Sequence, residues 1–593
     1  MRSAARFWGW VDIDEIGAND GTPAVQTTPL SVELSGAGLS LSIDPAKVNW
    51  HSENGRIVLL LGDPTVQGRP ALASEVATAP DLPAIGGRFA LVVVDRALKT
   101  VRLQTDRFGV WPLCWALEGS RLAFSDRADC VPVLGPRTLD PQALFDYVYF
   151  HMIPSPRTVF RGVFRVEPAC ELRFDSKGVS SRASWQPSFS AKRQGSVNEL
   201  AERFRNTIRD AVSFEARGAA VGCFLSGGTD SSTVAGMLKE ATGAASTFSI
   251  GFDEQGYDEM DYARIAARHF GTQHHEHYVT PGELVAAVPA VATHYDQPFG
   301  NSSAVPAFIC ARLARDNGVG KLLAGDGGDE LFGGNSRYAR QKVFEVWWQL
   351  PLAVRRAMVP LLGNESARKA PILRKAVRYI EQARVPMPAR LETYNLLNGF
   401  GAAKVFQPEF LQLVDATAPE ELQAQVYARH ATAPFVDRMM AYDWRFTLAD
   451  NDLPKVCGTT RLAGIDVGFP LLADELVDLS TQLESKDKVR GLQLRYFFKQ
   501  SLVDFLPPEI LSKKKHGFGL PVGRWLVKNP AFLSLARDSL AELETRGLIL
   551  PALVEDLFSR RVEVHPGYYG EMVWVLMMLE HWIAANHPRW RID

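Results

Sequence analysis

At 593 residues the chain exceeds the roughly 100–200 of a typical single domain, so at least two cores are expected. Hydrophobic residues make up 46% and charged residues 22%, with 47 Gly and 36 Pro, which excludes disordered, collagen-like and low-complexity classes. Sixty-five Lys+Arg against 67 Asp+Glu leave a formal net charge of −2, without the basic excess of a nucleic-acid binder.

Cys114, Cys130, Cys170, Cys223, Cys310 and Cys457 lie far apart with no CxxC spacing, so neither a zinc site nor a dense disulfide framework is expected, and a reducing cytoplasm fits. The opening MRSAARFWGWVDIDE acquires acids before any apolar run develops and does not read as a secretory signal. The apolar stretch 572–579 is too short to span ~30 Å of hydrocarbon, so no membrane partner is expected.

Residues 1 to about 185 read as β-rich, with short apolar runs at 57–61, 89–94 and 101–103 separated by turn residues such as Gly86-Gly87 and Phe108-Gly109. Between 186 and 195 the sequence QPSFSAKRQG loses its apolar periodicity and reads as a linker. The boundaries are therefore placed at 1–190 and 196–593. Ser196 and Glu199 form a capping-box pair, and Leu200, Phe204, Ile208 and Val212 recur every four residues, predicting a helix that buries one stripe. The apolar run 219–225, the loop SGGTDSS, the helical pattern TVAGMLKEAT, the strand-like TFSIGF and a helix through Tyr262-Ala263-Arg264 follow as βαβ grammar, predicting a parallel doubly wound sheet. From about residue 340 the chain reads as mostly helical, with Trp347, Trp348, Trp444, Trp525, Trp574 and Trp582 as buried core aromatics.

Ser226-Gly227-Gly228-Thr229-Asp230-Ser231-Ser232 stands between a strand and a helix N-terminus, where unpaired N–H groups and the positive dipole end favour a phosphate. The GxxxxGK[ST] spacing of a Walker loop is missing. The segment resembles the pyrophosphate loop of ATP pyrophosphatases. A second cluster, Gly325-Asp326-Gly327-Gly328-Asp329-Glu330, also follows a short apolar run, and acids facing a phosphate loop suit Mg²⁺, a hard cation that takes carboxylate and phosphate oxygens.

SGGTDSS together with GDGGDELFGG, and the later stretches TFSIGF, Gln297-Pro298, 455–472 and LSKKKHGFGLPVGRWL, resemble the synthetase domain of the asparagine synthetase family. The resemblance implies a PP-loop ATP pyrophosphatase domain of α/β type (adenine nucleotide alpha hydrolase-like) with extra helices, using ATP and Mg²⁺. It places the nucleotide on Leu225, Ser226, Gly227, Gly228, Ile250 and Gly325, the pyrophosphate on Ser231 and Ser232, and magnesium on Asp230 and Asp329. Asp326 stands where asparagine synthetases carry a catalytic Glu and β-lactam synthetases a Tyr. The family's transition-state lysine falls on Arg495, with Lys499 one turn on as the other cationic candidate.

The first region, through GGRFALVVVD, TDRFGVWPLCW, LAFSD and PSPRTVFRGVFRVEPA, resembles the α+β, Ntn-hydrolase-like glutaminase fold of the same family. Working glutaminases open on a nucleophilic cysteine. Here residue 2 is Arg2, and the glutamine-gripping segments are reduced to Asn54-Gly55, so ammonia production is expected to be lost. Cys457, Gly458, Gly468 and Ala473 also depart from the asparagine-synthetase pattern, at positions expected to flank the acceptor pocket.

A frame of this kind resembles β-lactam synthetases and, most closely, lasso-peptide cyclases, which implies a precursor-peptide substrate, with a leader peptidase and a leader-recognition protein as further partners. The competing readings are an ammonia-dependent asparagine synthetase, a β-lactam synthetase, a non-catalytic scaffold, and a tRNA-modifying pyrophosphatase disfavoured by the charge balance.

Overall fold

The computed structural model describes residues 5–17, 23–190, 192–193, 195–218, 220–360, 371–513 and 519–592. Arg2, and Lys514 to Phe518 of the LSKKKHGFG stretch, lie outside the described residues.

The first region is a sandwich of two antiparallel sheets. One runs, in spatial order, Phe164–Arg165, Cys114–Glu118, Arg121–Ser125, Phe7–Asp12, Leu39–Ile43, Val32–Gly36 and Ala24–Thr27. The other runs Gly178–Ala183, Cys170–Asp175, Thr100–Thr105, Ile85–Asp95, Arg56–Val66 and Asn49–Glu53. The run 89–94 is apolar at every position because both of its faces are covered. Ala90, Val92 and Val94 meet the other sheet through Leu41 and Phe124, while Phe89, Leu91 and Val93 pack under the helix Ala73–Thr78 through Val76. Asn54 and Gly55, with φ of 53° and 75°, form the two-residue turn between Asn49–Glu53 and Arg56–Val66, so this pair is hairpin chemistry.

Ser196 caps the helix Val197–Glu215 as expected, its side chain accepting from the Glu199 N–H while the Glu199 carboxylate accepts from the Ser196 N–H at 2.9 Å. The parallel sheet that follows has the order Gln273–Tyr278, Ser246–Gly251, Val221–Phe224, Lys321–Leu323 and Asp466–Gly468. Its first strand in the chain, Val221–Phe224, therefore lies beside its fourth, Lys321–Leu323, and the order reverses between them. That is a topological switch point, where a doubly wound sheet opens a crevice at its carboxyl ends.

Beyond residue 340 the chain is helical as predicted except for Asp466–Gly468, which adds the edge strand beside Lys321–Leu323. Trp347, Trp444, Trp525, Trp574 and Trp582 are buried, whereas Trp348 corrects the expectation at 39% exposure, its indole N–H donating to the Ala383 carbonyl at 2.8 Å. The stretch 572–579 lies inside the buried helix Pro566–Asn586, and among the described residues no helix is long and apolar enough to cross a membrane.

Charged groups tie the two regions together. Glu215, at the end of the helix Val197–Glu215, pairs with Arg88 of the sandwich and with Lys321 at 2.5 Å. Burial alone would raise its pKa, but these two cations hold the carboxyl below its ordinary value. Arg107 meets Asp474 at 2.9 Å and Asp478 at 2.6 Å, and Asp474 also accepts the Gly87 N–H at 2.7 Å.

Candidate active site

Two glycine-rich loops meet at the switch point. After Val221–Phe224 the chain is held to the sheet through the Leu225 N–H, which donates to Phe248 O at 2.9 Å, and then turns sharply at Gly227. A side chain at Gly227, whose φ is +66°, would collide with Tyr262 and Ala263. Gly228 caps the helix Thr229–Thr242, so the unpaired N–H groups of its first turn face the crevice. Ser231 Oγ lies 3.1 Å from Ser226 Oγ and braces the loop across its mouth.

The second loop leads from Lys321–Leu323 into the short helix Gly328–Phe332. Gly328 is required by close approach, since a Cβ there would stand 2.6 Å from Asp230 Oδ1. Asp230 and Asp329, each in the first turn of its helix, consequently converge. Arg495 bridges them, donating to Asp230 Oδ2 at 2.6 Å and to Asp329. Burial would lower the pKa of Arg495, but the two carboxylates outweigh it and raise it, so the guanidinium stays charged.

These loops line a cleft of about 1130 Å³. Leu225, Ser226, Gly228, Asp230, Ser231, Ile250, Gly325, Asp326, Asp329, Arg495 and Lys499 all border it. Gly227 and Ser232 do not: Gly227 makes the turn behind the loop, and Ser232 is fully buried beneath it. Lys499 borders the cleft with its ammonium donating to Leu511 O at 2.6 Å, and burial, then Arg495, pushes its pKa down. Of the two cationic candidates, Arg495 is the one in contact with both acids.

Further residues enter that the motifs had not singled out. Lys455 sits 2.7 Å from Asp452 and 3.9 Å from Asp326. Burial pushes the Asp326 carboxyl up to about 6 against the pull of Lys455, while Asp452 and Asp326 together raise Lys455 despite its own burial. Lys513 donates to Gly227 O at 3.3 Å and pairs with Glu259 at 3.1 Å, and both residues of this pair border the cleft where they brace the 226–228 loop. Both lysines stand inside the stretches 455–472 and LSKKKHGFGLPVGRWL, but their contacts with Asp326, Gly227 and Glu259 join segments more than a hundred residues apart.

Asp230 and Asp329 offer oxygen donors from two helix starts converging on one point, and among the described residues no third acidic, His or Cys ligand completes a protein-only metal site. Arg495 already bridges the two carboxylates on one side, and their remaining oxygens would suit Mg²⁺, which takes one or two carboxylates and fills its shell with water and phosphate oxygens.

The positions expected to flank the acceptor pocket lie elsewhere. On the helix Leu453–Ala463, Lys455 and Val456 face the cleft, whereas Cys457 and Gly458 face a separate cavity toward the sandwich. Gly468 abuts Glu215, whose Oε2 would stand 2.5 Å from an added Cβ, and Ala473 packs in the core beneath the sheet. Gly458 and Gly468 leave room for close neighbours, Tyr295 and Glu215.

The asparagine synthase family matches residues 203–584, and a glutamine amidotransferase domain matches residues 77–185. The chain is similar to the putative asparagine synthetase [glutamine-hydrolyzing] of Mycobacterium tuberculosis, 29% identical over 458 residues that cover 74% of this chain and 68% of that protein. It is also similar to asparagine synthetase [glutamine-hydrolyzing] 1 of Bacillus subtilis, 24% identical over 512 residues that cover 84% and 78%. A putative asparagine synthetase 2 of Methanocaldococcus jannaschii is 32% identical over 258 residues, 42% of this chain and 49% of that protein. With an amidotransferase-type sandwich ahead of a parallel sheet whose switch point carries SGGTDSS and GDGGDE, the chain belongs to the asparagine synthase family, as an ATP-dependent carbon–nitrogen ligase.

Proposed function

We propose that this ligase adenylates an Asp or Glu side-chain carboxyl of a precursor peptide and lets the peptide's own α-amine close a macrolactam ring, as a lasso-peptide cyclase does. What supports this reading above all is that no cysteine stands in the first 113 residues, although the sandwich itself is kept. Without a thiol there to release ammonia from glutamine, the amine is supplied by the substrate. Holding amine and acyl group in one molecule lowers the barrier by about 7–11 kcal/mol.

ATP binds across the 225–228 and 325–328 loops, its phosphates on the N-terminus of Thr229–Thr242. When bound at Asp230 and Asp329, Mg²⁺ neutralises phosphate charge. The substrate carboxylate oxygen attacks the α-phosphorus and pyrophosphate leaves, with Arg495 countering the charge that develops there. The amine then attacks the acyl carbon, AMP departs with the bonding electrons, and the amine proton passes to Asp326, whose raised pKa suits a base working near neutrality. Lys455 holds that carboxylate in place.

The test is mass spectrometry of a leader-cleaved precursor incubated with ATP, Mg²⁺ and the protein. A product lighter by one water, blocked to N-terminal sequencing and formed with one AMP, is expected. The names of the similar proteins favour a second reading, asparagine formation, and free asparagine made from aspartate and NH₄⁺ would replace the proposal with it.

A further inference from the structure

The helix Leu453–Ala463 turns Pro454, Cys457, Gly458 and Arg461 away from the nucleotide cleft, an i, i+3, i+4, i+7 stripe. The stripe forms one wall of a cavity of about 80 Å³ whose opposite wall is the sandwich. Most charges around it are matched. Asp126 is held by Arg6 at 3.1 Å, Arg127 by Asp129 at 2.8 Å, and Asp296 accepts the Ala128 N–H at 2.8 Å with Arg165 at 3.6 Å. Asp450 accepts the Ser155 hydroxyl at 2.9 Å and lies 2.8 Å from Arg445.

Arg461 is the exception: Asp126 and Asp296 act on it only from beyond ion-pairing distance, and its Nε is buried without an acceptor. Arg165, from the facing domain, has Asp296 at 3.6 Å from its terminal nitrogen but keeps a buried Nε without a hydrogen-bond partner. His294 adds no charge, because burial, then Arg461 and Arg127, pushes its pKa down to about 4. A buried guanidinium lacking a counter-ion carries a desolvation cost that water only partly offsets.

We infer that this interdomain cavity is a binding site for a small carboxylate-type oxyanion, gripped between the guanidinium groups of Arg461 and Arg165. The planar fork of arginine matches a planar carboxylate in two parallel hydrogen bonds. The acids around the rim restrict the occupant to a monoanion, and the volume restricts it to a few heavy atoms.

The experiment is thermal unfolding of the full-length protein in sodium acetate against sodium chloride at equal ionic strength. A saturable acetate-specific rise of about 1–2 °C or more is expected. Arg461→Leu should lose that rise and, in chloride, melt no lower than wild type, since it removes an unmatched buried charge. Should Arg461→Leu fail to fold, Arg461→Gln takes its place, and line broadening of ¹³C-acetate with the wild type reads binding directly. No acetate-specific rise, a rise that persists in the variant, or a variant that melts lower in chloride would each overturn the site. A larger Arg461-dependent rise in sodium phosphate would overturn the carboxylate class.

Discussion

The helix Leu453–Ala463 separates two cavities built on opposite electrostatic plans. On the cleft side, Arg495 lies between Asp230 and Asp329, and Lys455 between Asp326 and Asp452, so each cation is matched twice. On the sandwich side, the acids already have closer partners, and among the described residues Arg461 makes no ion pair with them. The difference separates roles along a single helix. Matched pairs around the larger cleft hold side chains in place for a charged substrate, while a cation without a close acid in the smaller cavity is left to an outside ligand.

Substitutions on the cleft side should be read in turnover. Asp230→Asn and Asp329→Asn are each expected to abolish substrate-dependent pyrophosphate release, by about 10³-fold or more, with the fold intact by circular dichroism. Near-normal release in either would remove that carboxylate from the phosphate site. Arg495→Ala should follow with a loss of about 10²-fold in kcat/KM, comparable with deleting an oxyanion donor, while Lys499→Ala should cost about tenfold or less, because its ammonium is engaged with Leu511 O. Equal losses in the two would erase the distinction drawn from their contacts.

A milder probe is pH. The Asp326 carboxyl, raised to about 6 by burial, must be ionised to accept the amine proton, so the rate should climb as pH rises through about 6. The native state also holds that proton more tightly than the unfolded chain. Stability should therefore fall as pH rises from about 4 to about 6 and level off above. Asp326→Asn should flatten both profiles, and a limb near pH 6 surviving in that variant would point to another group.

The smallest effect on turnover is expected on the sandwich side. Gly458→Ala would press its Cβ within 2.7 Å of the Tyr295 hydroxyl and should lower stability by about 1–3 kcal/mol in denaturant unfolding. Pyrophosphate release per folded molecule should stay unchanged. A loss of turnover without a loss of stability would mean that the two faces of the helix are coupled.

Much of the site was legible because phosphate chemistry is local. A strand, a glycine turn and a helix start within about ten residues place N–H donors by chain geometry alone, so SGGTDSS and GDGGDE could be assigned from their neighbours in sequence. Lys455 and Lys513 were not singled out because each meets the site through a partner on another loop, Asp326 and Gly227, and Asp452 enters only through Lys455. Trp348 failed as a core residue for a similar reason: its position on Ser336–Gln349 is amphipathic by pattern, and only the packing of neighbouring helices decides which indole is covered.

By itself, the sequence determined the β-rich first region, the capped helix at Ser196, the alternation of strand and helix, and the two glycine-rich loops at helix starts. These follow from side-chain periodicity, turn residues and caps, all short-range. Tertiary structure alone decided that Val221–Phe224 lies beside Lys321–Leu323, that Asp466–Gly468 completes the sheet, and that Arg495 sits between two acids. It also decided that Cys457, Gly458 and Arg461 face the sandwich and not the cleft. Those outcomes depend on burial and on charges brought together across hundreds of residues, where the cost of leaving a buried group unmatched is settled by whatever the rest of the fold places beside it.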